Sequence, residues 1–305
     1  MAVSSAADLI VGLVEQQGNS AGGAGQPMAT LEWVTRQGAP DGTLTEAGRY
    51  YTLALSRDGR RAAANLGNDI WIFDDGNRKT RVTSRVLSLA PVWQLDGGAL
   101  LFQRGRGVWR QPVDREAPAE ELADSRGMPT DWSPDGRWIL IGLDTGAASQ
   151  RDIRLYDFQS RTSRDWLATE FNEQQGRFST DGRWVAYTSD SSGQDEIYVR
   201  SFDGAVKAQI VSLGGGSHPR WRRDGRELYF LGPGDEMMAV SVTPGTATIQ
   251  IGEPQRLFTR PLNDITRSFV SPYDVAPDGQ RFLLNRPDRP DPLFFLQGLA
   301  ALVGK

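Results

Sequence analysis

The chain has 305 residues, with 34 lysines and arginines against 38 aspartates and glutamates, one histidine and no cysteine. A formal net charge of −4 gives no basic footprint for nucleic acid or an anionic membrane surface, and the missing cysteines exclude a disulfide framework and a thiolate metal site. With 39% hydrophobic residues and 34 glycines, the composition suits many short strands joined by tight turns in one unit.

The first apolar run, "LIVGLV" from Leu9, is too short for a membrane helix and lacks the basic segment of a secretory signal. "NSAGGAGQ" from Asn19 reads as a flexible linker. Residues 1–30 are therefore expected to be an N-terminal extension and residues 31–305 the folded body, a soluble chain expected to be monomeric. "TLEWVTRQG" from Thr30 and "TLTEAG" from Thr43 predict two strands.

From Ser56 onward one pattern recurs: "SRDGRRAAANL", "QLDGGALLFQR" at Gln94, "SPDGRWILIGL" at Ser133, "STDGRWVAYTS" at Ser179, "RRDGRELYFLG" at Arg222 and "APDGQRFLLNR" at Ala276. The aspartates Asp58, Asp96, Asp135, Asp181, Asp224 and Asp278 are spaced by 38, 39, 46, 43 and 54 residues, the period of propeller blades. Asp-Gly between two apolar runs predicts a hairpin. An aromatic stands three positions before the aspartate in four copies, as Trp93, Trp132, Phe178 and Trp221, and is expected in the core between blades. A third strand follows as "DIWIF" at Asp69, "GVWRQ" at Gly107, "DIRLY" at Asp152, "EIYVR" at Glu196 and "MMAVSV" at Met237. "TRVTS" at Thr80, "AEELA" at Ala119, "RDWLA" at Arg164, "AQIVS" at Ala208 and "PQRLF" at Pro254 supply a more polar fourth. The fold class is thus all-β: a six-bladed β-propeller of four-stranded antiparallel blades, closed by strands from both termini. "PLFFLQGLAALV" from Pro292 predicts one further strand, so the last blade has more candidates than places.

Motifs for known chemistries fail one by one. His218 follows Ser217, but neighbours on a strand point apart and no third group orients the pair. The run Gly214 to Gly216 lacks a Gly-Lys-Ser/Thr ending and leads into a strand, so it reads as a crossover between blades. "SDSSGQDE" from Ser189 is out of step with a calcium loop and reads as a polar hairpin. There is no Gly-x-Ser-x-Gly elbow and no kinase signature. No metal or cofactor is expected.

One constellation stands out. If the first strand of each blade lines the channel, the residue four before each aspartate forms a ring: Ala54, Val92, Asp131, Arg177, Arg220 and Asp274. Four of the six are charged, and unpaired charges are costly to bury, so these four should be wet or paired. Asp131 with Arg177, and Arg220 with Asp274, belong to neighbouring blades and could zip them together. The same ring could line a polar channel that holds a ligand or a partner's chain terminus, with Tyr50, Tyr51, Gln175, His218 and Tyr273 at its mouth.

"SPDGRW", the run "FNEQQGRFSTDGRWVAYTSDSSGQDEIYVRSF", "GGGSHPRWRRDGRELYFLGPGDEMMAVSV" and "YDVAPDGQRFLLNRP" together resemble the TolB-like propellers, most closely those at the C-terminus of bacterial serine/threonine protein kinases. The resemblance covers roughly residues 31–305. It implies a sensor or docking module without a catalytic half, and a periplasmic or otherwise extracytoplasmic setting. The function expected is non-catalytic binding of a protein or peptide partner, with a small polar ligand in the channel as a lesser reading. The alternative is a carbohydrate-active hydrolase or lyase using Asp131 and Asp274, which sit in opposed blades. Against it, an arginine beside each aspartate is expected to lower its pKa when a general acid needs it raised.

Overall fold

A computed structural model describes residues 28–288, apart from 77, 85, 146–150, 246–247 and 263–270. The Asp-Gly turns set its geometry. Gly59, Gly97, Gly136, Gly182, Gly225 and Gly279 all have φ between +69 and +75°, a left-handed conformation that glycine adopts without a Cβ clash. Each aspartate accepts the amide N–H two residues on, as in Arg60 to Asp58 (3.1 Å), Arg137 to Asp135 (3.0 Å) and Gln280 to Asp278 (2.9 Å). The turn therefore closes on itself, and the runs on either side must pair antiparallel.

Six sheets result. From the axis outward, blade 1 runs Tyr50–Leu55, Arg61–Leu66, Asp69–Asp74, Lys79–Arg81, and blade 2 runs Ser88–Trp93, Ala99–Arg104, Gly107–Pro112, Glu120–Arg126. Blade 3 is Met128–Trp132, Trp138–Asp144, Arg151–Asp157, Thr162–Leu167, and blade 4 is Glu173–Phe178, Trp184–Ser189, Glu196–Ser201, Gln209–Ile210. In blade 5, Ser217–Trp221 and Glu227–Gly232 lead to the long strand Glu236–Pro244, whose outer edge is shared by Gln255–Thr259 and Ile249–Ile251.

Blade 6 closes the ring. Tyr273–Val275 and Arg281–Pro287 come from the C-terminal side, and Ala29–Thr35 and Pro40–Thr43 from the N-terminal side. The seam runs in unbroken register from Ala29 opposite Pro287 to Thr35 opposite Arg281. "TLEWVTRQG" is thus the third strand of the last blade. The second N-terminal strand ends at Thr43, so "TLTEAG" is a crossing segment: Thr45 Oγ1 accepts the Leu31 N–H, and Ala29 and Gly48 exchange both backbone bonds. The run from Pro292 and the linker from Asn19 lie outside the described residues.

The core lies between blades. Second strands are buried on both faces, and all six residues of "WVAYTS" are buried, which is why these strands read as continuous apolar runs. Trp93, Leu100 and Phe102 of blade 2 pack on Ala63 and Ile70 of blade 1, and Phe178, Val185 and Tyr187 of blade 4 on Leu140, Ile153 and Leu155 of blade 3. Among the described residues no helix is long and apolar enough to cross a membrane.

Candidate functional site: the central channel

The inner strands are not regular. In blades 2, 4 and 5 the residue six before the aspartate has positive φ: Ala90 (+53°), Gln175 (+59°) and His218 (+58°). The pairing register slips at the same places, as a bulge demands. As a result the residues six and four before the turn both face the axis, among them Gln175 with Arg177 and His218 with Arg220.

The charged ring forms as two pairs across blade boundaries. Arg220 Nε lies 3.2 Å from Asp274 Oδ1, and Arg177 Nη1 lies 3.9 Å from Asp131 Oδ1. Both aspartates also clamp backbone. Asp131 Oδ2 accepts the Phe178 N–H of blade 4 (2.7 Å), and Asp274 Oδ2 accepts the Leu55 N–H of blade 1 (2.8 Å). The aromatic row adds the converse link. The Trp93 indole donates to the Ala54 carbonyl (3.0 Å) and the Trp221 indole to the Arg177 carbonyl (3.1 Å), each in the preceding blade.

Burial governs the electrostatics. It pushes the Asp131 carboxyl above its ordinary value of 3.8, against the pull of Arg177 and of the N–H bond from Phe178. The expectation that a neighbouring arginine lowers this carboxyl is therefore corrected: desolvation inside the channel outweighs the arginine. Burial, reinforced by Arg220 nearby, also brings Arg177 down to about 10. The parts of Asp131 and Arg177 that stay open, 24% and 20% of the side chains, face the channel.

The two ends of the channel differ. Toward the blade crossovers, Thr52, Ala90, Pro129, Gln175, His218 and Ser271 leave a space of about 20 Å³, on the scale of an ordered water. Toward the Asp-Gly turns the channel opens into a mouth of about 210 Å³. Trp93, Trp132, Phe178 and Trp221 form its wall, the charged ring its floor, and Arg57, Leu95 and Thr180 its rim. Pro134, Arg223 and Pro277 continue that rim.

No protein-family model matches the chain. Over 116 residues, 36% of its length, it is 33% identical to the Tol-Pal system protein TolB of Anaeromyxobacter dehalogenans strain 2CP-1, a match that spans about a quarter (26%) of that relative. Its fold superposes on a structure assigned as TolB from Agrobacterium tumefaciens with a TM-score of 0.68 at 16% identity, covering 87% of this chain and 100% of that one. The chain is a TolB-like six-bladed β-propeller. An oligogalacturonate lyase in complex with manganese shares the fold more distantly, at a TM-score of 0.54 and 13% identity over 81% of this chain and 80% of that one.

In this TolB-like propeller the residues expected at the mouth separate. Gln175 and His218 line the narrow end and are tied together: Gln175 Oε1 accepts the His218 N–H (2.7 Å) and the Thr188 hydroxyl (2.8 Å), while the Gln175 amide and His218 Nε2 lie 2.9 Å apart. Tyr273 is fully buried behind them, donating its hydroxyl to the His218 carbonyl (2.7 Å). Tyr50 packs between blades 6 and 1 with Leu31, Phe73 and Leu283. Tyr51, half-buried, lines neither end. The wide mouth is built instead from the aromatic row, of which Trp93, Trp132 and Phe178 are buried and Trp221 half-buried, and from rim residues outside the expected set. Arg57, Leu95, Pro134, Thr180, Arg223 and Pro277 each stand immediately before a turn aspartate; that constant position was the available signal.

The remaining motifs serve the fold. Gly214 and Gly215 give their N–H groups to buried Glu196 (2.9 Å each), so the glycine run grips the chain's own carboxylate. "SDSSGQDE" joins the second and third strands of blade 4. Among the described residues no group of three or more histidine, cysteine, aspartate or glutamate side chains is arranged to hold a metal ion.

Proposed function

We propose that this TolB-like propeller is a non-catalytic docking module that receives an extended segment of a protein partner, or a peptide, in the wide mouth of its channel. The observation that carries this reading is the mouth itself: a concave site of about 210 Å³ with an aromatic wall and a charged floor fixed by hydrogen bonds to backbone. Apolar walls with a few placed polar groups are the general form of a recognition site, and tryptophan is over-represented among residues that dominate binding energy. The curated relatives carry the name Tol-Pal system protein TolB, which supports a role in a multi-protein system, and we read this chain as docking its partner outside the cytoplasm. The narrower likeness to kinase-linked propellers fits the same role.

The carboxylates of the alternative hydrolase or lyase reading act as clamps here: each gives one oxygen to a backbone N–H of the next blade and pairs with an arginine. A thermal-shift screen of peptides, sugars, nucleotides and divalent metals separates the readings, because a ligand preferring the native state raises its apparent stability. The docking reading expects peptide hits that disappear in Leu95→Glu/Thr180→Glu, a variant that blocks the mouth at two rim positions. A sugar or metal hit abolished by Asp131→Asn or Asp274→Asn would overturn it.

A further inference from the structure

The two halves of the charged ring are not equally satisfied. Asp131 and Asp274 spend acceptor capacity on backbone: Asp131 on the N–H of Phe178, and Asp274 on those of Leu55 and Val275. Arg177 keeps its donors. Its side chain makes no hydrogen bond among the described residues, its buried Nε has no partner, and its closest approach to Asp131 is 3.9 Å, beyond hydrogen-bonding distance. Burial and the adjacent Arg220 both work against its charge.

The rim carries the same sign. The Arg57 guanidinium has no hydrogen bond or ion pair among the described residues, and the side chain of Arg223 donates only to the Arg57 carbonyl (3.2 Å). The aspartates next to them, Asp58 and Asp224, are occupied in their own turns, accepting the N–H of Arg60 and of Arg226. Four arginines therefore meet two aspartates in the mouth, and the aspartates are already engaged. Guanidinium groups at the floor and rim of an apolar-walled cavity match a carboxylate in both charge and fork geometry.

We propose that the mouth is a carboxylate-binding site, in which Arg177 receives the carboxylate of an incoming segment, Arg57 and Arg223 draw it in, and the adjoining side chain lies on the wall of Trp132, Phe178 and Trp221. This rests on the docking reading and specifies the ligand's chemistry. The carboxylate comes either from a free chain terminus or from an acidic side chain, and the test tells these apart.

The probes are three short peptides titrated calorimetrically against the full chain at low salt: N-acetyl-Gly-Gly-Phe as the free acid, the same peptide as its C-terminal amide, and N-acetyl-Gly-Asp-Phe amide. The free acid, the aspartate peptide or both should bind at least about tenfold more tightly than the plain amide, as expected for a charged group meeting a buried, under-compensated partner. Arg177→Met should erase that preference. Arg57→Ala/Arg223→Ala, which changes only rim side chains, should reduce it and flatten its salt dependence. Preference for the free acid alone assigns a chain terminus; equal preference for the aspartate peptide assigns an acidic side chain. If all three peptides bind equally, or the preference survives Arg177→Met, the carboxylate site is wrong while the docking mouth stands. If none binds and the mouth-blocked variant behaves as wild type in the peptide screen, both readings fall.

Discussion

Asp274→Ala should be the most damaging single change in the ring, because this one carboxylate ties three blades. Its Oδ2 holds the Leu55 N–H of blade 1 at 2.8 Å, and its Oδ1 holds its neighbour's N–H, Val275, at 2.9 Å and faces Arg220 of blade 5 at 3.2 Å. The Arg220 side chain is only 8% exposed and that of Asp274 17%, so water cannot replace what is lost. Hydrogen bonds to a charged group contribute about 1.5–3 kcal/mol each, and removing one partner of a buried pair costs about 3–5 kcal/mol. The two figures describe overlapping losses, and about 4 kcal/mol is the expected destabilisation. For a chain of this size that lowers Tm by roughly 8–16 °C. Asp274→Asn keeps an acceptor for one N–H and should lose about half as much. Asp274→Ala/Arg220→Met should be less destabilised than the sum of the single variants, since it leaves no orphan charge. Urea unfolding followed by tryptophan fluorescence and circular dichroism measures all four. A loss below about 1 kcal/mol for Asp274→Ala, or strict additivity in the double variant, would refute the clamp.

Three further outcomes are expected. Gly136→Ala meets nothing within 4 Å and should show only the left-handed backbone penalty, about 1–2 kcal/mol, whereas in Gly59→Ala the new Cβ meets Pro277 Cδ at 2.6 Å, so its loss in a urea titration should be clearly larger. Burial raises the Asp131 carboxyl, so the folded chain holds this proton more readily than the unfolded one and ionisation weakens the fold as pH rises from 3.8 through the raised value. The stability of wild type relative to Asp131→Asn should therefore fall as the pH rises above the ordinary value of 3.8; a rise would mean that Arg177 outweighs burial. Glu196→Ala should cost about 2–4 kcal/mol, because it orphans the N–H groups of Gly214 and Gly215 along with the Ser212 hydroxyl. The crossover at 213–216 should then exchange its amide hydrogens faster, which mass spectrometry reads directly.

The blades were legible because their determinants are local. Asp-Gly needs only its own backbone to make the turn, and a chain that repeats it six times with apolar runs on both sides has few alternatives. The charged ring was legible for a related reason: counting back from a fixed turn gives a fixed height on the inner strand. What the sequence hid was the direction of the channel. A bulge at Gln175 and another at His218 turn these residues toward the narrow end, and bulges leave no compositional mark. Other links between blades are carried by the pattern itself. Asn65 and Asn285 each stand seven residues after a turn aspartate, directly behind the apolar runs "AAA" and "FLL". Each donates its side-chain amide to the next blade's inner strand, Asn65 to the Ser88 carbonyl and Asn285 to that of Tyr50.

In a propeller each position repeats six times, and this separates the demands of the fold from those of a site. Where all six copies agree, the fold explains the residue, as with the glycine of every turn. At the axis they disagree. Four before the aspartate stand Ala54, Val92, Asp131, Arg177, Arg220 and Asp274, and one before it stand Arg57, Leu95, Pro134, Thr180, Arg223 and Pro277. Blades 1 and 2 are joined without a charge in the first set, through the Trp93 indole and the Ala54 carbonyl, so blade-to-blade cohesion does not require charge there. The two aspartates have a structural reason to be present, since each clamps the next blade's backbone. The arginines have a weaker one: Arg177 stands beyond hydrogen-bonding distance of its aspartate, and the Arg57 guanidinium bonds nothing among the described residues. Half-buried cationic groups that the fold does not need, gathered at the open end of the axis shared by all six blades, are the residues on which a partner's contribution would be felt most.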